Sequence, residues 1–516
     1  MDRREPTRRA ADLRRHAVGV VFPAFRRTPP AEEISQTAGQ HAAGHAGTVG
    51  SGLLPQRLPP PAARSPREQS RLPADGRIRG ELERRASAAA LRKSNRDADT
   101  RERAPALSPR HSATGGAARV VLRPPAVIMP MGGPAVDGRP PNRELPRMKY
   151  AVLGCGRQGI AVIADLFEFC EAERIVAFDT DTGVGPRVRD VLGERATRVD
   201  LHALSPADPS AADRVVQLIS GSACAISALP YALNPDATRL CLRAGVPMCD
   251  LGGNPDVVAQ QKALCRGDGL IVPDCGLAPG LNNILAVYLR ERFAVTAIRA
   301  YCGGIPAERD PANPLQYKLL FSPWGLVSEY SGRCAVLRGG RVEFVEALTG
   351  LEALPNDREA FFTSNNAPLS FEQLANIGVR EYAYKTVRWR GHLERVLLLK
   401  SLGFFRGNRA LDQALVDGMS QQPWLAFDRT RDVDEVVLWL EGESDDGRRR
   451  RAGITVHGDR RLTAMEKTTS WGATIPAYWI ARTAGASLPR GCLPPQQVVD
   501  AAWAVDELKR RTPVET

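Results

Sequence analysis

Six residues, Gly154-Cys155-Gly156-Arg157-Gln158-Gly159, carry the plainest chemical pattern in the chain. Glycines spaced G-x-G-x-x-G let the backbone turn tightly, approach a phosphate closely, and pack a helix against a strand. The pattern alone is weak, and its setting strengthens it. The apolar run 149–153 reads as a buried strand ending at Gly154, and Ile160 to Phe169 carries apolar residues at helical spacing. A helix that opens on such a loop offers free N–H groups to a pyrophosphate. Gly154, Gly156, Arg157, Gln158 and Gly159 are therefore candidate cofactor contacts.

A second strand, Arg174 to Phe178, ends at Asp179, 20 residues beyond Gly159. A carboxylate there accepts hydrogen bonds from an adenosine ribose and repels a 2′-phosphate. The next residue is Thr180 rather than Arg, so NAD is favoured over NADP, with Arg157 within reach of a 2′-phosphate. Further strands are expected to end at Asp200, at Ser227 and at Asp250. Ligands of parallel sheets bind outside strand carboxyl ends, which adds Asp200, Ser227, Leu229, Pro230 and Tyr231 to the candidates, and Asp250-Leu251-Gly252-Gly253 beside them. No pair of cysteines has metal-ligand spacing, and residues 148–516 hold only His202, His392 and His457. Neither Cys155 nor Cys275 has a partner histidine nearby in sequence, so thiol catalysis is not expected.

The elements that must position these groups follow from periodicity. Strands alternate with helical stretches around 210–220 and 234–244, which implies a Rossmann-type, doubly wound parallel α/β sheet over 148–280. Beyond the loop Asp274 to Asn283 the texture changes. A helix at 281–292 leads into strand-like segments at 296–302, 334–337, 341–346, 382–389, 434–441 and 451–457. These predict an α+β substrate and oligomerisation domain over 281–471 with a mostly antiparallel sheet. Residues 472–511 read as two helices, the second beginning after Pro494-Pro495, and the 472–516 segment is expected to pack back on the Rossmann half.

Composition sets the first 147 residues apart. They hold 27 Lys or Arg against 14 Asp or Glu, 19 of the 40 prolines, two aromatics and no cysteine. Their net charge is +13, whereas residues 148–516 carry 43 basic and 44 acidic side chains, a net of −1. Such a segment buries too little apolar surface to offset its ordering entropy, so 1–147 is expected to be disordered. Its Arg/Pro/Ala bias fits an upstream region read from a misassigned start, with Met148 as the natural first residue. With little Lys and no stacking platform, it is not expected to bind nucleic acid. The sequence shows no secretory h-region or membrane span, and ten irregularly placed cysteines suit reduced thiols in a cytosol.

Several motifs, taken in order, resemble the saccharopine dehydrogenase-like family. They are the glycine fingerprint, Ile226 to Tyr231, Gly276-Leu277-Ala278-Pro279-Gly280, Gly303-Gly304-Ile305-Pro306, Asn313 to Lys318, Arg388 to His392, and Met465 to Thr469. The resemblance covers nearly all of 148–516. The Leu-Ala-Pro-Gly form of the central loop and the Phe321-Ser322 pair resemble its lysine 6-dehydrogenase branch. Saccharopine reductases and carboxynorspermidine enzymes more often carry an acidic residue where Ala278 stands. Asn365-Asn366 and Arg390 depart from the family pattern. The resemblance implies a Rossmann domain, a split substrate domain and a homo-oligomer.

The chemistry implied is hydride transfer from an amine carbon to the nicotinamide, leaving an imine that water hydrolyses. The amine must be neutral at transfer, which calls for a base or a desolvated pocket. An amino-acid substrate also needs a cation for its carboxylate and an acceptor for its ammonium. Arg388 suits bidentate carboxylate binding; Lys318 suits the same task or proton transfer; Asp250 suits an ammonium. His392 is a candidate proton relay, and Tyr231, Tyr317 and Thr468 are candidate substrate contacts. Plainer roles stand beside each: a salt-bridging lysine, a hydrogen-bonded structural histidine, a solvated Arg388 face, a core Tyr317, and a helix cap from Thr468 or Thr469. The expected activity is NAD(P)-dependent oxidation at the C–N bond of an amino acid, lysine 6-dehydrogenase-like, giving a semialdehyde that cyclises. A saccharopine-type or carboxynorspermidine-type reaction is the alternative, and a catalytically silent NAD-binding protein is another.

Overall fold

The computed structural model describes residues 148–252, 254–364, 368–483 and 488–516. The expectations for 1–147, Gly253 and Asn365-Asn366 lie outside the described residues.

The Rossmann half is built on seven parallel strands in the order β15-β6-β5-β4-β1-β2-β3. They are β1 (Met148–Leu153), β2 (Ala172–Phe178), β3 (Val199–His202), β4 (Cys224–Ser227), β5 (Met248–Asp250), β6 (Leu270–Val272) and β15 (Gly491–Cys492). Tyr150, Val152, Ile175 and Ile226 are fully buried, as strands covered on both faces must be. On one face, Ile160 and Ile163 of the helix Arg157–Phe169 pack with Val188 of the helix Val184–Leu192. On the other, Val215 and Ile219 of the helix Ala212–Ile219 pack with Leu240 of the helix Asn234–Ala244. The latter starts with Pro235 in its first turn and ends on left-handed Gly245, so its limits follow from local chemistry.

The first face is completed from the far end of the chain. Ala473, Ala477, Tyr478 and Ile480 of the helix Ala464–Arg482 join the same core as Ile160 and Cys224. This 19-residue helix runs across residue 471, where the sequence pattern predicts a domain boundary. It carries Pro476 in its interior. Beyond it come β15 and two short helices, Pro495–Val498 and Ala501–Lys509, in place of the single helix expected after Pro494-Pro495. A two-residue strand has no readable period.

The second half is a mixed sheet ordered β10-β11-β12-β7-β13-β14, with β8 pairing β12 and β9. Its strands are β7 (Val295–Pro306), β8 (Arg333–Arg338), β9 (Arg341–Glu346), β10 (Glu352–Leu354), β11 (Arg358–Phe362), β12 (Glu381–Trp389), β13 (Asp434–Ser444) and β14 (Arg449–His457). Only β12 and β7 run parallel, so the mostly antiparallel expectation holds. The helix Leu281–Phe293 packs Leu285 and Leu289 on Ile298 of β7 and Leu438 of β13. The two halves meet through the helix Ala464–Arg482. A Cβ on its Gly472 would lie 2.1 Å from the Gly276 carbonyl oxygen, so the loop after β6 rests directly on that helix.

Candidate functional site

The glycine-rich loop has the geometry its spacing implies. Gly154 adopts φ +94°, and its N–H donates to the Phe178 carbonyl at 2.8 Å. A Cβ on Gly159 would stand 1.9 Å from the Gly154 carbonyl oxygen, and one on Gly154 would stand 2.9 Å from that of Ala228. A Cβ on Gly156 would meet nothing within 4 Å. Two glycines are thus required by the protein's own packing, while the third faces open space. The helix Arg157–Phe169 starts at Gly156 without a side-chain cap, which leaves N–H groups for an anion. Two more atoms of the loop, Gln158 Oε1 and Arg157 Nη2, are buried without a hydrogen-bond partner among the described residues. An open cradle, an uncapped helix start and orphaned polar atoms fit a dinucleotide.

Asp179 orders that loop. Its Oδ2 accepts the Cys155 N–H at 2.7 Å, and Oδ1 accepts the Asp181 N–H at 2.9 Å. Leu229 is half-buried and Pro230 and Tyr231 are exposed, in the segment that continues from Ala228 across Gly154. Ser227 is buried and donates to Asn234 Oδ1 at 2.8 Å, so it braces the β4 turn. Asp200 is placed differently from the expectation. Strand β3 ends at His202, so Asp200 lies near its start, gripped by Arg174 Nε and Nη2 at 2.6 and 2.8 Å. The Arg174 hydrogen bond holds its carboxyl below the usual range.

At the carboxyl end of β5, Asp250 is fully buried. It accepts from Gln261 Nε2 at 2.7 Å, the Gly252 N–H at 2.8 Å and the Asp274 N–H at 3.4 Å. Burial pushes its carboxyl up, and the hydrogen bonds oppose that. Asp250 therefore fixes the turns after β5 and β6. Asp274, which no sequence motif singles out, is buried beside it in the left-handed region at φ +62°. Cys155 is fully buried and burial pushes its thiol up to about 12. Cys275, equally buried, is also raised by burial, so neither supplies a thiolate near neutral pH.

The other candidates sit in the second half. Arg388 is buried on β12, with its Nη2 donating to both Glu329 oxygens at 3.1 and 3.2 Å and its Nε donating to the Tyr330 hydroxyl at 2.9 Å. Its guanidinium also lies over the Tyr317 ring, 5.0 Å from the centroid. The solvated face considered for Arg388 is thereby overturned. His392 is buried in the same cluster, 2.9 Å from the Tyr330 hydroxyl and 2.7 Å from the Leu315 carbonyl. Burial, with Arg388 nearby, pushes its pKa down to about 3, so it stays neutral. Tyr317 is wholly buried, and its hydroxyl has no partner among the described residues. Lys318 pairs with Asp432 Oδ2 at 2.9 Å and is mostly buried. Thr468 lies inside the helix Ala464–Arg482 with its hydroxyl on the Ala464 carbonyl at 2.8 Å. The cap of that helix is Thr463, in a capping box with Glu466. Thr463 and Glu466 have the readable S/T-x-x-E spacing. Glu329, Tyr330 and Asp432 carry no such signal.

The structure thus brings Arg388, His392 and Tyr317 together, and gathers the glycine loop with Asp179 and the 228–230 segment. Among the described residues no hydrogen bond joins Asp250 to Lys318, Arg388 or His392. No metal-ligand cluster occurs among them, and no helix is long and apolar enough to cross a membrane.

A parallel sheet with this loop, joined to an antiparallel-rich second half, is the architecture of a two-domain dinucleotide-binding protein. Residues 150–267 match the family model "Saccharopine dehydrogenase NADP binding domain", and 276–512 match "Saccharopine dehydrogenase C-terminal domain". The chain belongs to the saccharopine dehydrogenase family. It is 22% identical over 265 residues to the saccharopine dehydrogenase [NADP(+), L-glutamate-forming] of Saccharomyces cerevisiae, covering 47% of this chain and 58% of the yeast one. It is 23% identical over 185 residues to the mitochondrial alpha-aminoadipic semialdehyde synthase of Rattus norvegicus, covering 33% of this chain and 20% of that protein. The solved apo saccharopine dehydrogenase (L-Glu forming) of S. cerevisiae shares the fold at TM-score 0.53 and 15% identity, over 71% of this chain and 99% of that one.

Proposed function

We propose that the chain is an NAD(P)-dependent oxidoreductase acting on the C–N bond of an amino acid. The open cradle at Gly156, at the uncapped start of the helix Arg157–Phe169 and beside the Ala228–Leu229 segment, carries the dinucleotide part of this reading, and the family match supports the amino-acid part. A nicotinamide dinucleotide, when bound, would supply the hydride acceptor. The protein's part is to position and to manage protons. Leu229, Pro230 and Tyr231, which continue from Ala228 across Gly154, would line the nicotinamide end of the site, and Asp250 holds the turns after β5 and β6 in place. Lys318, paired with Asp432, is the group proposed to hold a proton at its Nζ. Arg388 acts through the Glu329–Tyr330–His392 cluster as a positioning residue.

Within this class, the finer reading is oxidative deamination of the terminal amine of lysine by a cytosolic homo-oligomer. It rests on Ala278 and Phe321-Ser322. The alternative, a saccharopine-type reaction at a secondary amine, is favoured by the relatives' own activities. The deciding experiment follows reduced-cofactor absorbance with L-lysine and then with saccharopine. Turnover with lysine alone supports deamination. Turnover with saccharopine alone moves the chain to the alternative, and silence with both leaves a dinucleotide-binding protein.

A further inference from the structure

The helix His392–Ser401 has two apolar faces, and the fold covers one of them. On the inner face His392, Leu393 and Val396 are buried, and Leu399 packs on the cluster that holds Tyr317 and Phe361. The helical period puts Glu394, Leu397, Leu398 and Ser401 on the opposite side, with Leu402 one turn beyond Leu398 at the carboxyl cap. All five are exposed. Leu398 and Leu402 keep 64 and 65% of their surface in solvent, more than any other large apolar side chain among the described residues, and Leu397 keeps 42%. A helix at the surface turns charges outward, and one that is apolar all round belongs in an interior. Leu397, Leu398 and Leu402 therefore form an apolar row that lacks its cover.

The charges at the two ends of the row select the cover. Glu394 lies in the first turn of the helix, and Arg406 lies at the other end, its Nε donating to the Lys400 carbonyl at 3.1 Å. Both are exposed, and neither has an ion-pair partner among the described residues. We infer that the row seats a second copy of this chain, laid antiparallel about a two-fold axis that passes near Leu398. This gives the homo-oligomer proposed above its contact surface and rests on that part of the reading. In a two-fold contact one patch serves both copies, so it must complement itself. Turning the helix end over end about Leu398 sets leucine against leucine in the middle and brings Glu394 of each copy beside Arg406 of the other. The helix dipoles then run opposite ways as well. A parallel copy would set like charges together at both ends. An apolar centre with a charged rim is also how such contacts are built. The surface backs the candidate site, because His392 at the start of the helix lies 2.9 Å from the Tyr330 hydroxyl.

The test is the mass of the full chain in solution, by light scattering after size exclusion and by sedimentation equilibrium over a range of protein concentrations. The native chain should run as two copies or an even multiple of two. Leu398→Glu with Leu402→Glu, both at exposed positions, should halve that mass and weaken pairing about a hundredfold or more, because carboxylates would be buried at its centre. A circular dichroism melt checks that each variant folds. Glu394→Arg alone and Arg406→Glu alone should each weaken pairing about tenfold, and the two together should restore it, as a pairing of unlike ends requires. A native chain of single-copy mass overturns the surface and the homo-oligomer together. Native pairing that survives in the folded leucine variant overturns the surface and leaves the homo-oligomer standing. A double charge reversal as weak as either single one overturns the antiparallel two-fold arrangement.

Discussion

Arg157 Nε lies 2.9 Å from Glu466 Oε1, across 309 residues of chain. The first side chain after the loop's middle glycine is thereby tied to the helix that completes the Rossmann layer. The contact fixes the loop, because the helix is itself held by the Thr463 capping box.

Glu466→Gln tests that tie. The amide oxygen can still accept the Thr463 N–H, so the cap survives, while the guanidinium groups of Arg157, Arg187 and Arg429 lose their counter-charge. The expected cost is about 2 kcal/mol of stability, within the range for a buried polar group losing charged partners. Denaturant unfolding at neutral pH checks it, and an unchanged midpoint would show the cluster to be energetically idle.

Gly159→Ala and Gly156→Ala should separate packing from ligand approach. The first drives a Cβ into the Gly154 carbonyl, and the second meets only open space. Gly159→Ala is expected to destabilise by about 1–3 kcal/mol as an overpacking change. Gly156→Ala should melt nearly as native yet bind NAD(P) at least about tenfold more weakly, since the methyl occupies the approach of the pyrophosphate. Tight binding by folded Gly156→Ala would contradict the cradle.

Glu329→Ala leaves the buried Arg388 guanidinium without its counter-charge. The expected loss is about 3–5 kcal/mol, the usual cost of breaking a buried ion pair from one side. A thermal melt measures it, and a loss below about 1 kcal/mol would place the pair with solvent-exposed bridges.

His392 gives a pH signature. Its pKa in the fold is about 3 and its ordinary value 6.5, so between these values the unfolded chain takes up the proton and the fold does not. This contribution is complete above about pH 6.5 and is lost as pH falls toward 3, costing about 2 kcal/mol by pH 5. His392→Asn should start less stable and show a flatter dependence between pH 7 and 5. An identical slope would remove His392 as the source, and a catalytic pKa near neutrality that vanishes in this variant would restore it as a proton relay.

Asp200→Asn and Asp179→Asn are expected to differ. The first loosens an exposed pair with Arg174, worth less than about 1 kcal/mol, and should leave dinucleotide affinity alone. The second weakens charge-assisted bonds to the Cys155 and Asp181 N–H groups, and affinity should fall roughly tenfold. Equal effects on binding would return Asp200 to the cofactor site.

The sequence by itself determined whatever is local. The strand at 149–153, the glycine spacing and the helix after it form one continuous segment whose period and Gly chemistry are readable. The parallel order of β1 to β5 followed from strands alternating with helices. Residue types alone also marked Arg388 and His392 as unusual, but not their task. Only the tertiary structure supplied Glu329 and Tyr330 as partners of Arg388, 59 and 58 positions away. It likewise moved Asp200 under Arg174, placed Thr468 inside a helix, and made the end of the chain, expected only to pack back on the first half, add the edge strand β15 to its sheet. Period and turn chemistry act over a few residues and leave a local trace; charge pairing and packing act through space, and they are settled only when the chain has closed on itself.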